Sequence, residues 1–433
     1  MSQSRFEYAS TAARAVASVC ILLFAVSAAR AVHVTNVTVA PRDARTASVT
    51  FDVAWTGSWR HEVNHDAAWV FFKVRTEGDT EWQHVRLVAD KVLNPTGYSQ
   101  TSGTPLDLIV PRGRDGFTGM FLRRAELGQG SVRVTKVTAV WDFTANKNIT
   151  RDVKVDVRAF GIYMVYVPEG PFNLGSGGTE INSFFKYTDG VHSDTPYRVT
   201  GPGAIPTGRQ KGRLWSGKGA APEDGGEIPA AFPNGYSAFY CMRYDVLAGE
   251  YAGFLDTVNA DQALARYVEK AHITRSGKPP NYVYSSDSPY RSCGGLSWAD
   301  GATFAAWAAL RPVTELEYEK ASRGPIKPGW ETGHSLQYNS YWGIALMNGW
   351  KTNCVFPVTV GNTAGRRFKG THGRGAPELP ADWPQEDAVG TGTRGGFIYR
   401  NPSNRAAATI PSPERTRNQR WRGVRTAPKG VGP

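Results

Sequence analysis

Between Leu296 and Gly324 the chain fixes the limits of two helices in quick succession. Ser297 is followed three positions on by Asp300, a capping pattern, and Trp298, Ala302, Ala305 and Ala309 then fall along one helical face. Thr314 and Glu317 form a Thr-x-x-Glu capping box that opens the next helix, and Gly324-Pro325 stops it. A side-chain oxygen that accepts an orphan backbone N–H at each start leaves little freedom in where these helices begin.

The flanking sequence is less regular. Tyr251, Phe254, Leu255 and Val258 recur at helical spacing and predict one earlier helix. Tyr163 to Gly175 reads as a strand pair around a Pro/Gly turn. From Gly175 to Gly235, and again after Gly333, the chain is rich in turn residues. With 47 Gly, 27 Pro, 13 Trp and 18 Tyr, the composition fits a loop-rich region with an aromatic core. The expectation for residues 160–430 is an α+β domain with low regular secondary structure.

The preceding region has a different period. Val34–Val39, Ala47–Val53, Trp69–Val74 and Val132–Thr138 are β-rich runs broken by Pro, Asp and Gly, with no helical repeat. They predict an all-β sandwich over residues 32–155, with a linker beginning near Asn146-Lys147-Asn148.

Residues 1–31 read as an export signal. Arg5 and Arg14 give a positive start, an apolar stretch surrounds Val19–Phe24, and Ala29-Arg30-Ala31 is a small-x-small cleavage pattern. The apolar run falls short of the roughly 20 residues of a transmembrane helix, so no anchor is expected after cleavage. The expected location is secreted, periplasmic or cell-surface. Cys20 leaves with the signal, and Cys241, Cys293 and Cys354 remain, which allows one disulfide or none.

The net charge is +12, with eight Lys or Arg from Arg400 onward against Glu414 alone. An exported basic patch of this kind suits an anionic glycan or an acidic cell-surface partner. The export signal argues against nucleic acid. The competing reading is that several of these arginines are structural.

The central motifs also carry a family likeness. Phe232–Asp245, then Leu296-Ser297-Trp298-Ala299-Asp300, then Leu310-Arg311-Pro312-Val313-Thr314-Glu315-Leu316-Glu317-Tyr318 through Arg323-Gly324, resemble the signature of the formylglycine-generating (sulfatase-modifying factor) family. Arg394-Gly395-Gly396, Arg405 and Arg422-Gly423-Val424-Arg425 resemble its closing segment. The resemblance spans Tyr163 to Ala427 and implies a fold related to the C-type-lectin-like folds. The stretch Asp66–Lys73 looks like the β-domain that precedes this fold in some secreted bacterial relatives.

Active members of that family oxidise a sulfatase cysteine with a copper-binding cysteine pair just after the closing Gly-Gly. Here Gly395–Arg405 holds no cysteine, and none follows Cys354. Copper(I) needs soft thiolates, which guanidinium cannot replace. The family's calcium loop corresponds to Met347–Cys354, which has no carboxylate and carries Lys351. No catalytic residue, metal or cofactor is therefore assigned.

Two motifs read as decoys. His61-Glu62-Val63-Asn64-His65 matches H-E-x-x-H, but it lies between strand-like runs and ends in turn residues, so it lacks the helix that aligns two zinc-binding imidazoles. Glu315, Glu317 and Glu319 fall in the first turns of a capped helix, where acids suit the helix dipole.

The expected function is a non-catalytic binding or scaffold role for a glycan or protein ligand. Tyr399, Arg400, Asn404, Arg405 and nearby Trp421 are the expected ligand surface, because arginine and aromatic side chains are common interface anchors. The alternative is a formylglycine-generating-type oxidoreductase built on a different site from Cys241, Cys293 or Cys354.

Overall fold

A computed structural model describes residues 31–113, 116–178, 183–188, 195–216, 222, 224, 226–269, 271–328, 339–345, 347, 354–394, 405–410, 414–415 and 419–433. From its N-terminal end the strands are β1 (His33–Pro41), β2 (Thr46–Arg60), β3 (Asp66–Thr76), β4 (Gln83–His84), β5 (Ser102–Gly103), β6 (Leu106–Ile109), β7 (Met120–Arg124), β8 (Gly128–Asp142) and β9 (Val155–Val167). Three more strands matter to the frame: β10 (Phe239–Met242), β11 (Arg311–Pro312) and β12 (Gly423–Thr426).

Two sheets organise these strands. One runs β1-β2-β8-β5 and is antiparallel. The other runs β11-β12-β10-β9-β3-β7-β6, with β4 paired to β3. The N-terminal region therefore contributes β3, β6, β7 and much of β9 to a sheet completed by strands from the far half of the chain. The expected boundary between residues 155 and 160 falls inside β9. That strand pairs with β3 from Val155↔Thr76 to Val165↔Asp66, and with β10 from Met164↔Met242 to Val167↔Phe239.

The side chains of β3 show why this sheet is shared. Ala68, Val70, Phe72 and Val74 pack with Val49, Phe51 and Trp55 of the first sheet. Ala67, Trp69 and Phe71 point the other way and pack with Phe254, Phe304 and Trp307. A strand covered on both faces reads as a continuous apolar run instead of an alternating one. The Ala67–Phe72 run is that signal. Each large side chain fully removed from water contributes roughly 1.5–3 kcal/mol.

The covering helices are α1 (Ala248–Leu255), α2 (Ala260–Arg266), α3 (Trp298–Trp307), α4 (Glu315–Arg323) and α5 (Thr363–Arg366). Both expected caps form. Ser297 Oγ accepts from Asp300 N–H at 3.2 Å while Asp300 Oδ2 accepts from Ser297 N–H at 2.9 Å. Thr314 Oγ1 accepts from Glu317 N–H at 3.1 Å, and Glu317 Oε2 accepts from Thr314 N–H at 3.0 Å. Gly324 ends α4 at φ 69°, a conformation that disfavours side chains with a Cβ.

The helix ends differ from the periodicity in two places. Val258 lies beyond α1, and Ala309 lies beyond α3 with φ 56°. Helix α2, capped by Asn259 Oδ1 accepting from Gln262 N–H, has too weak an apolar stripe to be read from spacing. Much of the rest is loop and short strand. Among the described residues no helix is long and apolar enough to cross a membrane.

Candidate ligand-binding cleft

Of the five residues expected to form a ligand surface, Tyr399, Arg400 and Asn404 lie outside the described residues. Arg405 opens the strand Arg405–Ile410, whose backbone pairs with Thr391–Arg394. Trp421 is a correction. It is 0% exposed, packed against Gly301 of α3 and 6.4 Å from the ring of Trp298. A Cβ at position 301 would stand 1.9 Å from Trp421 Cγ, so the glycine opens a slot that the indole fills. Trp421 is a core residue and offers nothing to a ligand.

Several closing arginines are structural as well. Arg422 donates to Met242 O at 2.6 Å, Asp245 Oδ1 at 2.8 Å and Ala345 O at 2.9 Å. Arg394 donates to Glu319 Oε1 at 2.8 Å, with both side chains buried. Arg311 clasps Glu317 with two bonds of 2.8 and 2.6 Å. The acids of α4 thus carry more than the helix dipole: Glu315 also accepts from Thr359 Oγ1, and Glu319 from Gly175 N–H.

The thiols are likewise enclosed. Cys241 and Cys293 are buried and unbridged, and they belong to separate packed clusters. Burial pushes the Cys241 thiol up to about 12 and raises Cys293 too, which keeps both protonated and poor as nucleophiles or metal ligands. The backbone of Cys354 begins a two-residue strand, and Asn348–Asn353 of the expected calcium-loop position lies outside the described residues. Among the described residues no three His, Cys, Asp or Glu side chains are grouped to hold a metal.

The H-E-x-x-H stretch is the turn between β2 and β3, closed by His61 N–H donating to Asn64 O at 2.9 Å. His61 is exposed. His65 is buried, stacked 4.7 Å from Tyr166 and 3.0 Å from Tyr240 Oη. One imidazole faces solvent and the other the core, so they share no site.

That same turn forms one wall of an open cleft of ≈ 750 Å³. Trp59 and His61 line it from the hairpin, Gln129 from the start of β8, and Tyr341 and Trp342 from the loop before Arg243's backbone partner Ala345, with Arg243 also on the lining. The hairpin wall is held from beneath by buried Asp66, which accepts from Trp55 Nε1 at 2.7 Å, Ser58 Oγ at 2.8 Å and Trp59 N–H at 2.8 Å. Asn64 Nδ2 donates to Trp342 O at 2.9 Å and fastens the two walls together.

Arg243 lies with its guanidinium 4.9 Å from the Trp59 ring and 4.7 Å from that of Tyr163. It donates to Gly57 O at 3.1 Å and to Tyr163 Oη, and no carboxylate among the described residues partners it. Gly57 takes φ 65° at this point. Tyr341 is 50% exposed, its ring nearly perpendicular to Trp342 at 4.7 Å. The cleft thus sets aromatic faces beside amide groups and a cation that no carboxylate among the described residues partners. The sequence signal for it was weak: Trp59 and His61 are visible at a turn, but only tertiary structure brings Tyr341 and Arg243 to them.

No family model, no curated protein and no solved structure matches the chain.

Proposed function

We propose that this chain is a secreted or cell-surface binding protein, resembling the formylglycine-generating family without its cysteine pair, whose ligand is an anionic glycan. The observation that carries the reading is the cleft lined by Trp59, Tyr341 and Arg243, a cation that no carboxylate among the described residues partners. Sugars present apolar ring faces and polar edges together, and an aromatic wall with nearby amides and an arginine complements both. The position of the cleft, between the N-terminal hairpin and a loop of the C-terminal half, is also where ligand sites commonly form.

The oxidoreductase alternative rests on the resemblance, and the burial of Cys241 and Cys293 weighs against it. The test is a glycan array probed with the full mature chain and with Tyr341→Ala. Retention of sulfated or uronate-bearing glycans, lost in the variant, supports the reading. Retention only of a protein ligand, or copper(I) binding with aldehyde formation on a cysteine peptide, replaces it.

A further inference from the structure

Arg425 is buried, and no carboxylate answers its charge among the described residues. One guanidinium nitrogen donates to Ala309 O, the group lies 4.3 Å from the ring of Trp69, and its Nε has no hydrogen-bond partner. Arg311, which lies near it, is already committed to Glu317. An isolated buried cation is costly unless something of opposite charge accompanies it. Burial first, and Arg311 second, accordingly pull Arg425 down to about 9.

The guanidinium borders a small pocket of ≈ 110 Å³, lined also by Thr118, His372 and Arg374. Among the described residues Thr118 Oγ1 is buried there without a hydrogen-bond partner. His372 Nε2 accepts from Thr426 N–H at 3.0 Å, so the ring proton sits on Nδ1 and that nitrogen is a donor. Arg374 is exposed beside it. Position 113 on the same lining is glycine, where a Cβ would stand 3.9 Å from Arg425 Nη2. The polar side chains, Thr371 included, can thus all donate around space for a group of a few heavy atoms, and among the described residues no acid lines it.

We propose that this pocket binds an oxyanion group (phosphate, sulfate or carboxylate) with Arg425, Thr118 and His372 as its donors. The oxyanion supplies the counter-charge that Arg425 lacks and an acceptor for the Thr118 hydroxyl. Charge-assisted hydrogen bonds of this kind are among the stronger ones in proteins. The inference does not depend on the function proposed for the Trp59 cleft.

The test is isothermal titration of the full mature chain with phosphate, sulfate and acetate, at ionic strength held constant with chloride. Saturable binding of at least one oxyanion is expected, weakened about tenfold by Thr118→Val, since one hydrogen bond to a charged group is lost. That variant keeps the side-chain shape and removes a hydroxyl with no partner among the described residues, so its thermal midpoint without anion should be no lower than the wild type's. Arg425→Lys, checked for folding by circular dichroism, should also weaken binding. No saturable binding of any of the three anions overturns the proposal. So does binding that Thr118→Val leaves unchanged, because the ion then sits elsewhere.

Discussion

Lys73 Nζ lies 3.1 Å from His84 Nδ1 in the interior, and it also donates to Trp307 O at 2.8 Å and Gly375 O at 2.5 Å. Three acceptors match the three N–H of an ammonium. His84 Nε2 faces the Thr118 carbonyl at 2.6 Å, so Nε2 carries the proton and Nδ1 accepts from the lysine. This chain of bonds joins β3 and the β4 hairpin to the end of α3. Lys73→Met strands two buried carbonyls and should cost roughly 2–5 kcal/mol, read from guanidinium unfolding. A loss under about 1 kcal/mol would show that the network is slack.

The same pair sets a pH dependence. Burial first, then Lys73 and Arg86, hold the His84 pKa well below the ordinary histidine value, so the native ring stays neutral. The unfolded ring takes a proton below about 6.5. Protonation therefore favours the unfolded chain, and the His84 contribution is present above pH 6.5 and lost as pH falls beneath it. Gln in place of His84 retains a donor and an acceptor but does not titrate. The stability gap between wild type and His84→Gln should narrow by about 1.4 kcal/mol per pH unit from 6.5 downward. A gap that stays constant between pH 7.5 and 5 contradicts this.

Glu317 serves two structures at once. It accepts both bonds from Arg311 and also caps α4 through Thr314 N–H. With both charged side chains at 2–3% exposure, removing one partner strands the other. Glu317→Ala should cost roughly 3–5 kcal/mol, and Glu317→Gln less, because an acceptor for the cap remains. Calorimetric melting of the two variants checks the order, and equal losses would mean that the cap acceptor contributes nothing beyond the ion pair.

The Trp421 slot gives a steric prediction. Gly301→Ala places a methyl 1.9 Å from Trp421 Cγ, and the indole has no free side to retreat into. The expected loss is about 2 kcal/mol or more, with a shift in tryptophan emission. Gly203→Ala, where no atom stands within 4 Å, should stay within about 0.5 kcal/mol of wild type. Similar small losses at both positions would refute the close packing.

What the sequence made legible was local. The caps at Ser297 and Thr314, the stop at Gly324 and the turn between Trp55–Arg60 and Trp69–Val74 depend on neighbours within a few positions, and each appears in the structure. The shared sheet was written in the unbroken apolar run at β3, but alternation elsewhere drew attention to a free-standing sandwich. Trp421 was misplaced because an aromatic among arginines reads as surface, whereas the slot that buries it is set by Gly301, far away in the chain. The cleft was invisible for the same reason. Trp59, Arg243 and Tyr341 meet only once β2, β10 and the loop after α4 are assembled.

The most direct test of the account is the affinity of the full chain for a sulfated or uronate-bearing oligosaccharide, measured by calorimetric titration alongside Tyr341→Ala and Arg243→Met. The half-exposed Tyr341 should be removable without loss of fold, and both variants should bind at least tenfold more weakly than wild type. Affinities that match wild type in both variants, with the fold intact, would show that the cleft is not the binding site.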